Sequence, residues 1–180
     1  MKRQRYLAGA ALALLLSGCT VRSIHPLFTE ADLTFDEDLI GIWGEAEGKE
    51  TWTIQAAGDK AYRVIYAEPG KATMLEGRLV RLGSYRYLDL FPKQTEDGFQ
   101  IPAHLFVRVS VEGDKLRCAI LDPDWLRAAL AGGSVTLPHV APYSGAGVIL
   151  TADTKQLQEF VLRHAGDPQT FSEGEFQRLK

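Results

Sequence analysis

Few side chains in this chain combine the type and spacing that chemistry requires. Two cysteines, Cys19 and Cys118, and four histidines, His25, His104, His139 and His164, are scattered singly. No C-x-x-C or H-E-x-x-H set is therefore available to hold a metal. Gly132-Gly133-Ser134 and Tyr143-Ser144-Gly145 lack the G-x-S-x-G pattern that lifts a nucleophilic serine onto a strand-to-helix turn. A Walker loop and a dinucleotide fingerprint are also missing. Asp122 and Asp124 have the spacing of a carboxylate pair for acid/base or metal work, but a helix start accounts for both through capping and the helix dipole. Asp89 sits inside Tyr87-Leu88-Asp89-Leu90-Phe91, where its neighbours are expected to be half buried. A buried carboxylate is costly unless paired, and an arginine on a neighbouring strand, Arg108 or Arg78, is the expected partner. His104 and His139 are the histidines with most scope for a functional role. The inventory points away from an enzyme.

The aromatic residues are the positive hint of a site. Tyr62, Tyr66, Tyr85, Tyr87, Phe91 and Phe106 fall on adjacent predicted strands, with Trp43 at the start of the first. Such a set can line a groove for an apolar ligand or a protein segment. The same residues can instead fill a core or lie beneath a helix.

Cys19 addresses localisation. Lys2, Arg3 and Arg5 precede an apolar run from Tyr6 to Leu16, then Ser17, Gly18 and Cys19. That is the charged, apolar and small-residue order of a secretory signal. The run is too short for the roughly 20 residues that span a bilayer. Leu16-Ser17-Gly18-Cys19 resembles the lipobox of bacterial lipoproteins at every position. The resemblance implies cleavage after Gly18, diacylglycerol on the Cys19 thiol and an acyl group on its amine, with no other cofactor. Each buried methylene contributes roughly 0.8 kcal/mol, so two or three chains would hold permanently. Thr20 is not the aspartate associated with inner-membrane retention, so the implied address is the periplasmic face of the outer membrane.

Removing residues 1–18 leaves 17 basic and 23 acidic residues in the remainder. A net charge of about −6 disfavours nucleic acid, whose phosphates need basic patches. It also disfavours docking on anionic headgroups by charge alone. Cys118 would have no disulfide partner. Its place between Leu116 and Ile120 on one strand face predicts burial.

Residues 19–38 read as the lipidated N-terminus and a tether, with an acidic face formed by Glu30, Asp32, Asp36, Glu37 and Asp38. Ile24, Leu27, Phe28 and Phe35 are too apolar for a free linker, so some of them should lie on the body. From residue 39 the chain reads as a single β-rich domain. Alternating runs end at Gly58-Asp59, Pro69-Gly70, Gly83, Pro92 and Gly113-Asp114. Connections this short require antiparallel neighbours, and closing the meander removes exposed edges. Asp122 with Pro123, and Asp153 with Gln156, mark the starts of two helices. A strand is predicted over residues 147–150, and a last short one over residues 175–179.

Gly41-Ile42-Trp43 opens the first expected barrel strand, and lipocalins begin their barrels with a similar Gly-x-Trp. The resemblance covers roughly residues 39–164. It implies a tryptophan closing the barrel floor and an arginine stacked upon it, for which Arg163 and Arg178 are the candidates. The expected fold is mainly β. An antiparallel meander closes into a lipocalin-like barrel or strongly curved sheet of about eight strands, with two short α-helices in the C-terminal third. The expected function is a lipid-anchored, non-enzymatic binding or adaptor protein of the bacterial envelope that engages a protein partner. The alternative is a carrier of a small apolar ligand.

Overall fold

A computed structural model describes residues 20–45, 48–92, 102–141 and 147–179. Cys19 and Tyr143-Ser144-Gly145 lie outside them. Short strands β1 (Val21–Ser23) and β2 (Leu33–Thr34) precede the meander β3 (Gly41–Gly44), β4 (Thr51–Ala56), β5 (Ala61–Glu68), β6 (Lys71–Leu82), β7 (Tyr85–Pro92), β8 (Leu105–Glu112) and β9 (Lys115–Leu121). Helix α1 (Pro123–Ala131), strands β10 (His139–Val140) and β11 (Val148–Leu150), helix α2 (Thr154–His164) and strand β12 (Phe171–Arg178) follow.

Strands β3 to β9 and β12 close into an eight-stranded antiparallel barrel. The closing strand is β12, which pairs with β9 on one side and β3 on the other. It is longer than the short final strand expected from sequence. The strand expected over residues 147–150 lies outside the barrel, where β11 pairs in parallel with β1 and antiparallel with β10. Both helix starts form as their sequences dictate. Asp122 accepts from the amides of Asp124 and Trp125, and Asp153 and Gln156 complete a capping box.

Alternation sorts the strand residues into two apolar clusters. Trp43, Trp52, Ile54, Tyr62, Val64, Tyr66, Leu79, Leu88, Leu90, Val107, Val109, Cys118 and Phe176 fill the barrel. Outside it, Val80, Tyr87, Phe106, Ala119, Leu121 and Phe171 pack beneath α1, α2 and the N-terminal segment. The helices thus convert one outer wall into a second core, and β7 is apolar on both faces for that reason. Gly77 reports how full the interior is. A Cβ there would stand 3.2 Å from both Leu88 Cδ1 and Val64 Cγ2. Gly77→Val will therefore overpack the barrel and cost ~1–3 kcal/mol in urea unfolding; an unchanged midpoint would mean the interior has room to spare.

The first described residues correct the expected domain boundary. Thr20 is buried, β1 pairs with β11, and Leu27 and Leu33 lie in the outer core. Residues 20–38 are a folded part of the domain, not a tether ahead of it. Their acidic residues are partly structural: Asp32 completes a capping box with Thr29, while Asp36 pairs with Arg86. Phe35 stacks on Tyr62 at 4.8 Å, whereas Ile24 remains exposed.

Candidate functional site

The seven aromatic residues expected to line one groove are divided by the barrel wall. Trp43, Tyr62 and Tyr66 point inward and are buried. Tyr87 and Phe106 belong to the outer core beneath the helices. Tyr85 edges the outer wall, and half-buried Phe91 lies 4.6 Å from the His104 ring. They form no common surface; most of them fill cores.

Trp43 does close one end of the barrel. Its Nε1 donates to Leu39 O at 2.9 Å, and the Arg178 guanidinium lies 4.1 Å above its ring. Arg178 also donates to the carbonyls of Ile40 (2.7 Å) and Asp38 (2.9 Å). Of the two candidate arginines, Arg178 is the one that stacks. Tyr62 secures the same end by accepting from Asp36 N at 2.7 Å and donating to Asp36 O at 3.1 Å.

Asp89 is buried, but neither Arg108 nor Arg78 pairs with it. Its two oxygens accept from Leu27 N at 2.8 Å and meet His104 Nδ1 at 2.7 Å. Ser23 and His104 exchange backbone hydrogen bonds of 2.9 and 2.8 Å beside it. The carboxylate fastens the N-terminal segment to the barrel, a structural duty that also accounts for His104. The burial of Asp89 is legible in the sequence, but its partner is not, because the packing of residues 20–30 against β7 leaves no periodic signal.

The described residues offer a concave site on the outer wall. A cleft of about 540 Å³ runs along the outer faces of β8, β9 and β12, beside the turn from β6 to β7. Ser84, Tyr85, Arg86, Arg108, Ser110, Arg117, Glu173 and Glu175 line it. Register explains the alternation: Arg108, Ala119 and Glu173 form one cross-strand row, and Ser110, Arg117 and Glu175 the next. Arg108 lies 4.6 Å from the Phe171 ring centroid and 5.8 Å from that of Tyr85. It donates to Ala165 O and, at 2.9 Å, to Glu173. Arg117 reaches Glu112 and Glu175, and hydrogen bonding from Lys115 holds the Glu175 carboxyl below its ordinary range. These exposed pairs are worth little to stability. Their side chains can exchange partners at small cost.

Nothing in the cleft is arranged as a nucleophile beside a base. Cys118 borders it, but its side chain belongs to the barrel interior, where burial pushes the thiol up to about 12. Burial likewise pushes the Tyr87 phenol to about 12. In the unfolded chain both groups ionise near their ordinary values. Stability is therefore complete below about pH 9 and falls as pH rises toward 12. Cys118 alone should remove roughly 3 kcal/mol by about pH 11. Circular dichroism against pH, with thiol labelling in parallel, should show Cys118 reacting only as the fold is lost; rapid labelling of the folded protein would contradict its burial.

On a second uncovered wall, Ile42, Thr53, Ile65 and Met74 stand in one uncharged row across β3 to β6. Among the described residues, no group of three or more His, Cys, Asp or Glu side chains is placed to hold a metal ion. No family model, curated protein or solved structure matches the chain.

Proposed function

We propose that this protein is a lipid-anchored, non-enzymatic adaptor of the bacterial envelope that engages a protein partner through its outer wall. The observation that carries the reading is the location of concave space. The barrel interior is occupied by its own side chains, whereas the mixed-charge cleft is open on the outside. Alternating arginine and glutamate suits a protein surface better than a polyanion. The envelope address rests on the Cys19 motif. Because Thr20 is buried and Val21 already pairs in β1, an anchor on Cys19 would hold the domain close against the bilayer. Arg22, Ile149 and Val140 align across the adjoining small sheet, and exposed Ile24 adds to that face. It is the surface that would rest on lipid.

The carrier reading keeps one supporting observation, the Arg178–Trp43 closure of an eight-stranded barrel. The filled interior weighs against it. To test the adaptor reading, a photoreactive amino acid is placed in intact cells at Ser110, in the cleft, or at Met74, on the second uncovered wall. A discrete protein adduct from Ser110 is expected. Adducts from Met74 alone, or identical smears from both positions, would sink the outer-cleft assignment.

A further inference from the structure

One end of the barrel is closed by Leu39, Trp43 and Arg178. The opposite end carries an arrangement that neither folding nor the outer cleft explains. Trp43, Trp52, Tyr66 and Thr73 form one inward cross-strand layer. One inward step further come Glu45 and Glu50, flanking the last β3–β4 pair Gly44–Thr51, and then Glu68 paired with Lys71. Among the described residues, three carboxylates and one lysine thus rim this mouth. Beneath them the Tyr66 hydroxyl faces the Glu50 carboxyl, and the buried Trp52 Nε1 has no hydrogen-bond partner. Tyr66 is 3% and Trp52 1% exposed.

A buried indole donor beside these carboxylates demands an explanation, since a polar group left unpaired costs about 1–3 kcal/mol. The niche is strongly negative. Burial raises the Tyr66 hydroxyl above the ordinary tyrosine range, and its hydrogen bond to Glu50 and the charges of Glu50, Glu68 and Glu45 add to that rise. Burial and Glu50 also raise the Glu45 carboxyl. The floor is aromatic. Trp52 meets Tyr66 edge-on at 5.7 Å and tilts against Phe176 at 6.2 Å.

We propose that this mouth binds a small primary amine bearing a neutral oxygen, with its ammonium among Glu45, Glu50 and Glu68. An ammonium donates to carboxylates and favours aromatic faces. The indole N–H of Trp52 can only donate, so it needs the ligand's oxygen as acceptor. Tyr66, whose hydroxyl hydrogen bonds to Glu50, can still accept from the ammonium. A phosphate on the same molecule would face the carboxylates, so the ligand carries no anionic group. That distinguishes a free amino alcohol or amino sugar from a phospholipid headgroup. The site is separate from the outer cleft and does not rest on the partner reading.

The test uses the full chain in detergent micelles, labelled with ¹⁵N. The indole Nε1–H resonance of Trp52, assigned through Trp52→Phe, is followed during titration. Ethanolamine should shift it saturably, binding about tenfold or more tighter than ethylene glycol, which replaces only the ammonium, and tighter than phosphoethanolamine. Glu50→Gln should weaken ethanolamine about tenfold; Glu68→Gln serves the same purpose if the first variant fails to fold. No saturable shift, an equal response to ethylene glycol, or unaltered binding in a folded glutamine variant would overturn the site and leave ordered water as the partner of the Trp52 indole.

Discussion

Trp43→Ala will lower the free energy of unfolding by ~3–5 kcal/mol, the range for removing a fully buried tryptophan. Three contacts are lost together: the interior packing of the ring, the Nε1 bond to Leu39 O, and the platform beneath Arg178. With the platform gone, Arg178 has less to hold it over the carbonyls of Ile40 and Asp38. Trp43→Phe separates these effects. It keeps an aromatic face but deletes the donor, so its loss should be far smaller, on the order of the 1 kcal/mol net value of one hydrogen bond plus a repacking penalty. Urea midpoints with unchanged slopes would measure both. A Trp43→Ala midpoint within error of wild type would show that this end of the barrel is not held as described.

Asp89→Ala should cost ~3–4 kcal/mol, and its signature is local. The substitution leaves the buried Leu27 N–H without its acceptor and frees the imidazole of His104. Both groups sit where the N-terminal segment meets β7 and β8, so residues 21–33 should lose amide protection before the barrel does. Hydrogen exchange by mass spectrometry reads this directly. Uniform loss of protection would instead mean that the segment and the barrel unfold as one unit. The outcome bears on function, because this segment would join the membrane anchor to the body.

The barrel was largely legible in the sequence because its cues are local. Turns at Pro69-Gly70, Gly83 and Gly113-Asp114 separate alternating runs, and each joins the strands expected. Asp122 and Asp153 announce their helices by capping chemistry that needs no tertiary context. The inward register of Leu116, Cys118 and Ile120 was equally plain. What alternation could not convey is which outer wall would be covered. Tyr85, Tyr87 and Phe91 alternate with Leu88 and Leu90, so β7 offers two apolar faces and no sign of which one meets the helices. The expected aromatic groove mixed residues from opposite sides of that wall.

Residues 20–38 were misjudged for a related reason. Their two- and three-residue strands are too short for periodicity, and their burial depends on partners more than 100 residues away, as when Val21 pairs with Val148. Arg108, Arg117, Glu173 and Glu175 carried no site signal, since a charged alternation reads as a solvated strand face. Only the closure of β12 against β9 assembles them into rows. The nearest available clue was β8 itself, where Arg108 and Ser110 alternate with Val107 and Val109.

The central proposal is that a packed barrel works from its outside while lipid on Cys19 would hold it to the membrane. Native mass spectrometry of the protein extracted from bacterial membranes tests that claim most directly. The predicted mass is a chain beginning at Cys19 with its acyl groups and no co-purifying apolar molecule. A stoichiometric apolar ligand that survives extraction would contradict the packed interior, and a chain carrying no acyl mass would contradict the anchor.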